Sequence, residues 1–225
     1  MSRHEWVEIT CPVCGQKSEF MIWSSINTSL DPDMKEKVLS GEAFTFTCPN
    51  CDGKTGVDYG TLYHQMEDHI MIFYAISDEN EKEILDMLNR SGNSEVEKLM
   101  SRMFEDDYLI RIVRSQNSLR EKIRIFDAGL DDRLIEISKI YIWAMYNEKN
   151  PDSKDVEMFY SKVNDQDSLV IFDEKKNVAS ANITKDFYDS LARDYGGGLT
   201  DIRKDTPIID GDWAFKMFKQ RKQEI

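Results

Sequence analysis

Four cysteines constrain this chain more than any other feature. Cys11-Pro12-Val13-Cys14-Gly15 and Cys48-Pro49-Asn50-Cys51-Asp52-Gly53 both have the form Cys-Pro-x-Cys, 33 residues lie between them, and the 225-residue chain has no other cysteine. Two residues between cysteines let both sulfurs of one tight turn face a single point. Two such turns supply four thiolates at the corners of a tetrahedron. Proline after the first cysteine stiffens each turn. Glycine after the second, or Asp-Gly in the other copy, permits the left-handed backbone that brings amide N–H groups toward sulfur. The pattern predicts a structural tetrathiolate zinc site on Cys11, Cys14, Cys48 and Cys51, with iron able to take the same four sulfurs. Disulfides would need an oxidising compartment. A thioredoxin-type redox pair would need one CxxC rather than two matched ones.

Acidic residues outnumber basic ones 42 to 29, a formal net charge of −13. Each third of the chain carries more acids than bases, whereas nucleic-acid binding needs clustered Lys and Arg. The longest apolar run, Ile70 to Ile76, is far below the ~20 residues that span a bilayer. Residues 1–10 have no apolar signal core. These readings predict a cytoplasmic protein that binds neither nucleic acid nor membrane.

The order of elements predicts an α+β fold. The N-terminal part reads as a zinc-ribbon-like unit with a small antiparallel sheet: strands at 20–25, 43–47, 57–63 and 69–76. Between them lies a helix with Asp31 as N-cap and Pro32 in its first turn, closed by Gly41. A helical middle follows, from Asp78, from Ser94, from Ser118 and from Asp131, with Tyr108 to Val113 as a strand or connector between them. Asn150-Pro151-Asp152 is the predicted boundary. It separates residues 1–149 from a small C-terminal α/β portion, 150–225. That portion has strands at 156–163, 169–173 and 178–183, a helix from Lys185, a glycine linker at 196–198, and a last helix capped by Asp212 that carries Trp213, Phe215 and Phe218.

The paired Cys-Pro-x-Cys motifs, Ser40-Gly41-Glu42, Leu62-Tyr63-His64 and the block from Arg111 to Arg133 resemble the CpXC-domain proteins of bacteria and archaea. The resemblance covers most of residues 8–140. It implies a zinc-ribbon-like site, and implies no particular reaction. Asp52 departs from the first knuckle, where Gly15 directly follows the cysteine, and Gly53 is the residue expected to compensate.

Two other constellations could carry chemistry. His64 and His69, with Glu67 and Asp68, could form an acid–base or second metal site, or a polar turn with solvent-facing imidazoles. Arg111, Arg114, Arg120, Lys122 and Arg124 form the basic stretch of the chain. With Ser115, Gln116 and Asn117 at a helix start they could hold an anion, or pair with the acids that follow at 127, 131 and 132. Gly196-Gly197-Gly198 lacks the Gly-Lys-Ser/Thr of a phosphate loop, and Asp210-Gly211-Asp212 lacks the ligand spacing of a calcium loop. The favoured expectation is a non-enzymatic zinc-bound module that recognises a protein partner through sheet edges or the aromatic C-terminal segment. An enzyme with its site away from the zinc, at His64/His69 or Arg111–Arg124, is the alternative.

Overall fold

The computed structural model describes residues 2–89, 107–153, 155–174 and 176–223. The chain divides into two compact units, Met1–Arg120 and Glu121–Ile225.

The first unit opens with an antiparallel hairpin, β1 (Arg3–Thr10) and β2 (Lys17–Asn27). Helix α1 (Asp33–Ser40) follows, then a short second hairpin, β3 (Thr45–Thr47) and β4 (Lys54–Gly56). The chain continues through β5 (Thr61–Gln65), β6 (Ile70–Tyr74), α2 (Asp78–Asn89), β7 (Leu109–Val113) and α3 (Gln116–Asp127), within which the division between units falls. The main sheet has the order β1-β2-β5-β6-β7. It is mixed: β1–β2 and β5–β6 are antiparallel, β2–β5 and β6–β7 parallel. Every residue of β6 and β7 is buried, which is why β6 reads as an unbroken apolar run rather than an alternating one, and β7 as an apolar run broken by Arg111 alone. The fold class is the α+β one expected, with a larger and partly parallel sheet. Strand β1 gave no sequence signal because most of its residues are exposed, so burial imposes no alternation on it.

Two helix starts differ from expectation. Pro32, not Asp31, is the cap residue of α1 and no side chain caps the helix; Asp31 instead accepts the Met34 N–H on its carbonyl at 3.0 Å. Helix α3 begins two residues earlier than Ser118, because Ser115 Oγ accepts the Ser118 N–H at 3.0 Å and satisfies an otherwise orphan donor. Gly41 does close α1, at φ +87°. The helix expected from Ser94 lies outside the described residues.

The second unit is built on α4 (Asp132–Lys149), whose cap Asp131 accepts the Arg133 N–H at 2.9 Å. Asn150-Pro151-Asp152 lies just after α4, within this unit. A three-stranded antiparallel meander follows: β8 (Glu157–Val163), β9 (Gln166–Asp173) and β10 (Lys176–Asn182), in the order β10-β9-β8. Ile135 and Ile142 of α4 pack with Met158, Tyr160, Leu169 and Ile171 of the sheet. Helix α5 (Lys185–Tyr195) and helix α6 (Gly211–Gln223) form a second cluster with α4 through Leu134, Ile137, Leu191, Tyr195 and Ala214. Asp210, not Asp212, caps α6, accepting the Trp213 N–H at 2.9 Å. The three glycines at 196–198 form one 3-10 turn rather than an open linker, with Leu199 N–H donating to Gly196 O at 3.3 Å. Among the described residues no helix is long and apolar enough to cross a membrane.

Candidate metal centre

Each Cys-Pro-x-Cys segment closes one hairpin of the first unit. The first lies between β1 and β2, after the Thr10–Lys17 pair. The second lies between β3 and β4, after the Thr47–Lys54 pair. Their backbones repeat the same pattern. Cys11 N–H donates to Gln16 O and Gly15 N–H to Cys11 O, both at 2.9 Å; Cys48 N–H donates to Gly53 O and Asp52 N–H to Cys48 O, also at 2.9 Å. The residue after the second cysteine is left-handed in both: Gly15 at φ +73°, Asp52 at φ +55°. Asp52 therefore adopts the strained conformation itself, which aspartate tolerates better than most residues. Gly53 does not compensate by turning left-handed. It has a steric role instead, since a Cβ there would meet Val13 Cγ2 at 3.0 Å and Cys51 Sγ at 3.2 Å.

The turns bring all four Sγ atoms within 4.8 Å of one another. Cys11 and Cys51 are 3.7 Å apart, and so are Cys14 and Cys48. A regular tetrahedron with metal–sulfur bonds of ~2.3 Å has edges of about 3.8 Å, so the two pairs stand at the spacing of a metal-bound set. Cys11 and Cys48 are buried, Cys14 and Cys51 exposed. The buried pair rests on Phe46, with Ile9, Phe20 and Val57 packed around it. Phe20 meets the Phe46 ring edge-on at 6.1 Å.

The groups around the sulfurs favour thiolates unevenly. The Gln16 amide and the Asn50 side-chain amide, 3.5 Å from Cys14 Sγ, lower the Cys14 thiol to about 6. At Cys51 the Gly53 amide acts in the same direction, but the neighbouring sulfurs, Cys14 first, outweigh it and push the thiol up to about 12. Four sulfurs this close cannot all carry charge unaided, and a divalent cation among them would remove that repulsion. The donor set and its spacing fit a metal ion.

The structure gathers the two histidines around one ring instead of around Glu67 and Asp68. His64, buried on β5, shares a hydrogen bond with Tyr108 Oη at 3.1 Å, and His69 stacks on the Tyr108 ring at 4.8 Å. Burial, then repulsion by His69, lowers His64 to about 4. Only His69 faces solvent, as a polar turn would have it. Glu67 and Asp68 lie exposed on the 3-10 turn between β5 and β6, where Asp68 accepts from the Gln65 side chain.

The basic stretch does not converge on one anion site. Arg114 pairs with Asp78 at 2.8 Å and Glu81 at 3.2 Å. Arg111 is fully buried in β7, donating to Ile110 O. Arg120 donates to Gln116 and lies against Gly41. In the second unit Lys122 is buried between Asp132 at 2.8 Å and Glu136 at 3.4 Å. Lys139 bridges Glu121 at 2.8 Å and Glu136 at 3.0 Å. A second run of cations, Lys216, Lys219, Arg221 and Lys222, lies on α6.

A family model described as CpXC protein matches residues 9–139, which contain all four cysteines. No curated protein and no solved structure matches the chain.

Proposed function

The chain belongs to the CpXC family, and we propose that Cys11, Cys14, Cys48 and Cys51 hold one structural zinc ion in a module that recognises another protein. The spacing of the sulfurs is the observation that carries the metal reading. Two Sγ pairs at 3.7 Å, each joining one knuckle to the other, match two of the six edges of a zinc tetrathiolate, and all four sulfurs lie within 4.8 Å. When bound, zinc supplies cross-linking of the two hairpins. Four thiolates fill its coordination shell and leave no position for water or substrate, so the ion works as a fold element. The chain's own residues support that role: Phe46 packs beneath the buried sulfurs, and the Gln16, Gly53 and Asn50 donors turn toward the exposed ones.

The recognition reading rests on the closed shell together with the exposed edge strand β1 and its exposed Trp6. The acidic balance weighs against nucleic acid. Four thiols kept for a metal suit a reducing compartment, so the proposed location is the cytoplasm.

Elemental analysis of protein expressed without added metal tests the centre. One zinc per chain is the expected content, lost in Cys11→Ala and Cys48→Ala together with the cooperative melting of the first unit. Iron in its place, or a metal that leaves without any change in melting, overturns the structural zinc reading and moves an enzymatic role to first place.

A further inference from the structure

Helix α6 sets a cationic and aromatic face on an otherwise anionic protein. Residues 213–223 carry four cations and no carboxylate, in a chain of net charge −13. The inner side of the helix is fixed, with Ala214 fully buried and Trp213 and Met217 packed against the cluster around Leu134 and Leu191. The outer side presents Phe215, Lys216, Lys219 and Lys222 to solvent. Phe215, Lys219 and Lys222 follow at i, i+4 and i+7, so they share one stripe. The Lys219 ammonium stands 4.2 Å from the centroid of Phe215, and the Lys222 ammonium 4.7 Å from that of Phe218. Phe215 remains 48% exposed. Cation–π contacts of this kind orient an ammonium without neutralising it.

None of Lys216, Lys219 and Lys222 has a carboxylate within ion-pair distance among the described residues. Acids outnumber bases 42 to 29 in this chain. Arg114, Lys122, Arg133 and Lys139 each engage two carboxylates. Lys219 and Lys222 on one exposed stripe, with Lys216 exposed beside it, form a patch complementary to negative charge.

We infer that the Phe215–Lys219–Lys222 face of α6 docks a short acidic segment of a partner protein, one that places carboxylates on the lysines and an apolar side chain on Phe215. The stripe is about 10 Å long at 1.5 Å per residue, the reach of a few extended residues. An extended polyanion such as a nucleic acid, or an anionic bilayer, spans many Debye lengths and meets the acidic remainder of the surface as well. A short acidic segment meets only the lysines. The inference rests on the recognition reading above and not on the metal.

The test is fluorescence anisotropy of a labelled Glu-Glu-Leu-Glu-Glu-Phe-Glu-Glu peptide titrated with the full chain at low ionic strength. Wild-type protein binds the peptide, and binding weakens with added salt. The double variant Lys219→Glu/Lys222→Glu loses about tenfold or more in affinity, and Phe215→Ala loses about threefold. Lys185→Glu, a charge reversal at the exposed first residue of α5, stays within about twofold of wild type. Unchanged melting of the double variant shows that the loss is not unfolding, since both lysines are exposed. Equal binding by wild type and double variant overturns the assignment of this face while leaving recognition elsewhere on the protein standing. No binding at all overturns the inference, and zinc content tests the metal centre independently. Tighter capture of single-stranded DNA or of phosphatidylserine vesicles through the same lysines overturns the choice of partner. So does a dimer in sedimentation that the double variant abolishes.

Discussion

Gly53 of the second knuckle lies directly against Val13 of the first: a Cβ on Gly53 would stand 3.0 Å from Val13 Cγ2 and 3.2 Å from Cys51 Sγ. The exposed Val13 side chain can give a little, but Cys51 Sγ cannot move without leaving the sulfur cluster. Gly53→Ala is therefore expected to loosen the centre without removing any of its four cysteines. A competing chelator should strip metal from the variant at lower concentration than from wild type, and the melting temperature of the first unit should fall. Gly15, where an added Cβ meets nothing within 4 Å but φ is +73°, provides the contrast. Its alanine variant should lose only the backbone term, about 1 kcal/mol.

Phe46 joins the sulfur cluster to the hairpins beneath it. It is buried against Cys11, Cys48 and Phe20. Phe46→Ala should cost about 3–5 kcal/mol in urea unfolding, the usual loss for a fully buried aromatic ring, and should weaken metal retention as well. Loss of stability with unchanged retention would separate the core from the centre.

Lys122 holds two buried carboxylates in the second unit, Asp132 at 2.8 Å and Glu136 at 3.4 Å. Lys122→Met leaves Asp132 buried without this cation and should cost about 3–5 kcal/mol. Asp132→Asn in the same background should recover part of the loss, because it removes the charge that the first substitution strands. Urea midpoints of the three proteins provide the comparison.

His64 makes stability depend on pH in a defined direction. Its folded-state value is lowered to about 4 from an ordinary 6.5, mainly by burial. The unfolded chain therefore binds a proton between those values that the folded chain does not. Its contribution is complete above 6.5 and is lost as pH falls toward 4. His64→Asn should flatten this part of the curve relative to wild type, as read from urea midpoints at pH 7 and pH 5. Identical slopes in the two proteins would refute the assignment.

The candidate centre was legible in the sequence because its information is local. Cysteine spacing, the two prolines and the glycines define two turns before any tertiary contact forms. The buried strand β6 and the capped helix α4 were legible for a related reason: burial on both faces writes an unbroken apolar run, and Asp131 supplies its own cap. Strand β7, its apolar run interrupted by the buried Arg111, read equally as a strand or a connector. Strand β1 was not, because an exposed edge strand carries no burial pattern. The caps Ser115 and Asp210 lie one turn or two residues from the sequence assignment, since several neighbouring residues could have done the same work.

The sequence by itself determined that four thiols would sit on two matched turns, that the chain would be acidic, and that its fold would mix helices with sheets. Tertiary structure alone decided that the four thiols meet within 4.8 Å of one another, that His64 spends its imidazole on Tyr108, and that Lys122 is buried between acids while the lysines of α6 face outward. The physical reason is range. Turn chemistry acts over a few bonds, whereas charge pairing and burial depend on which distant segments the fold brings together.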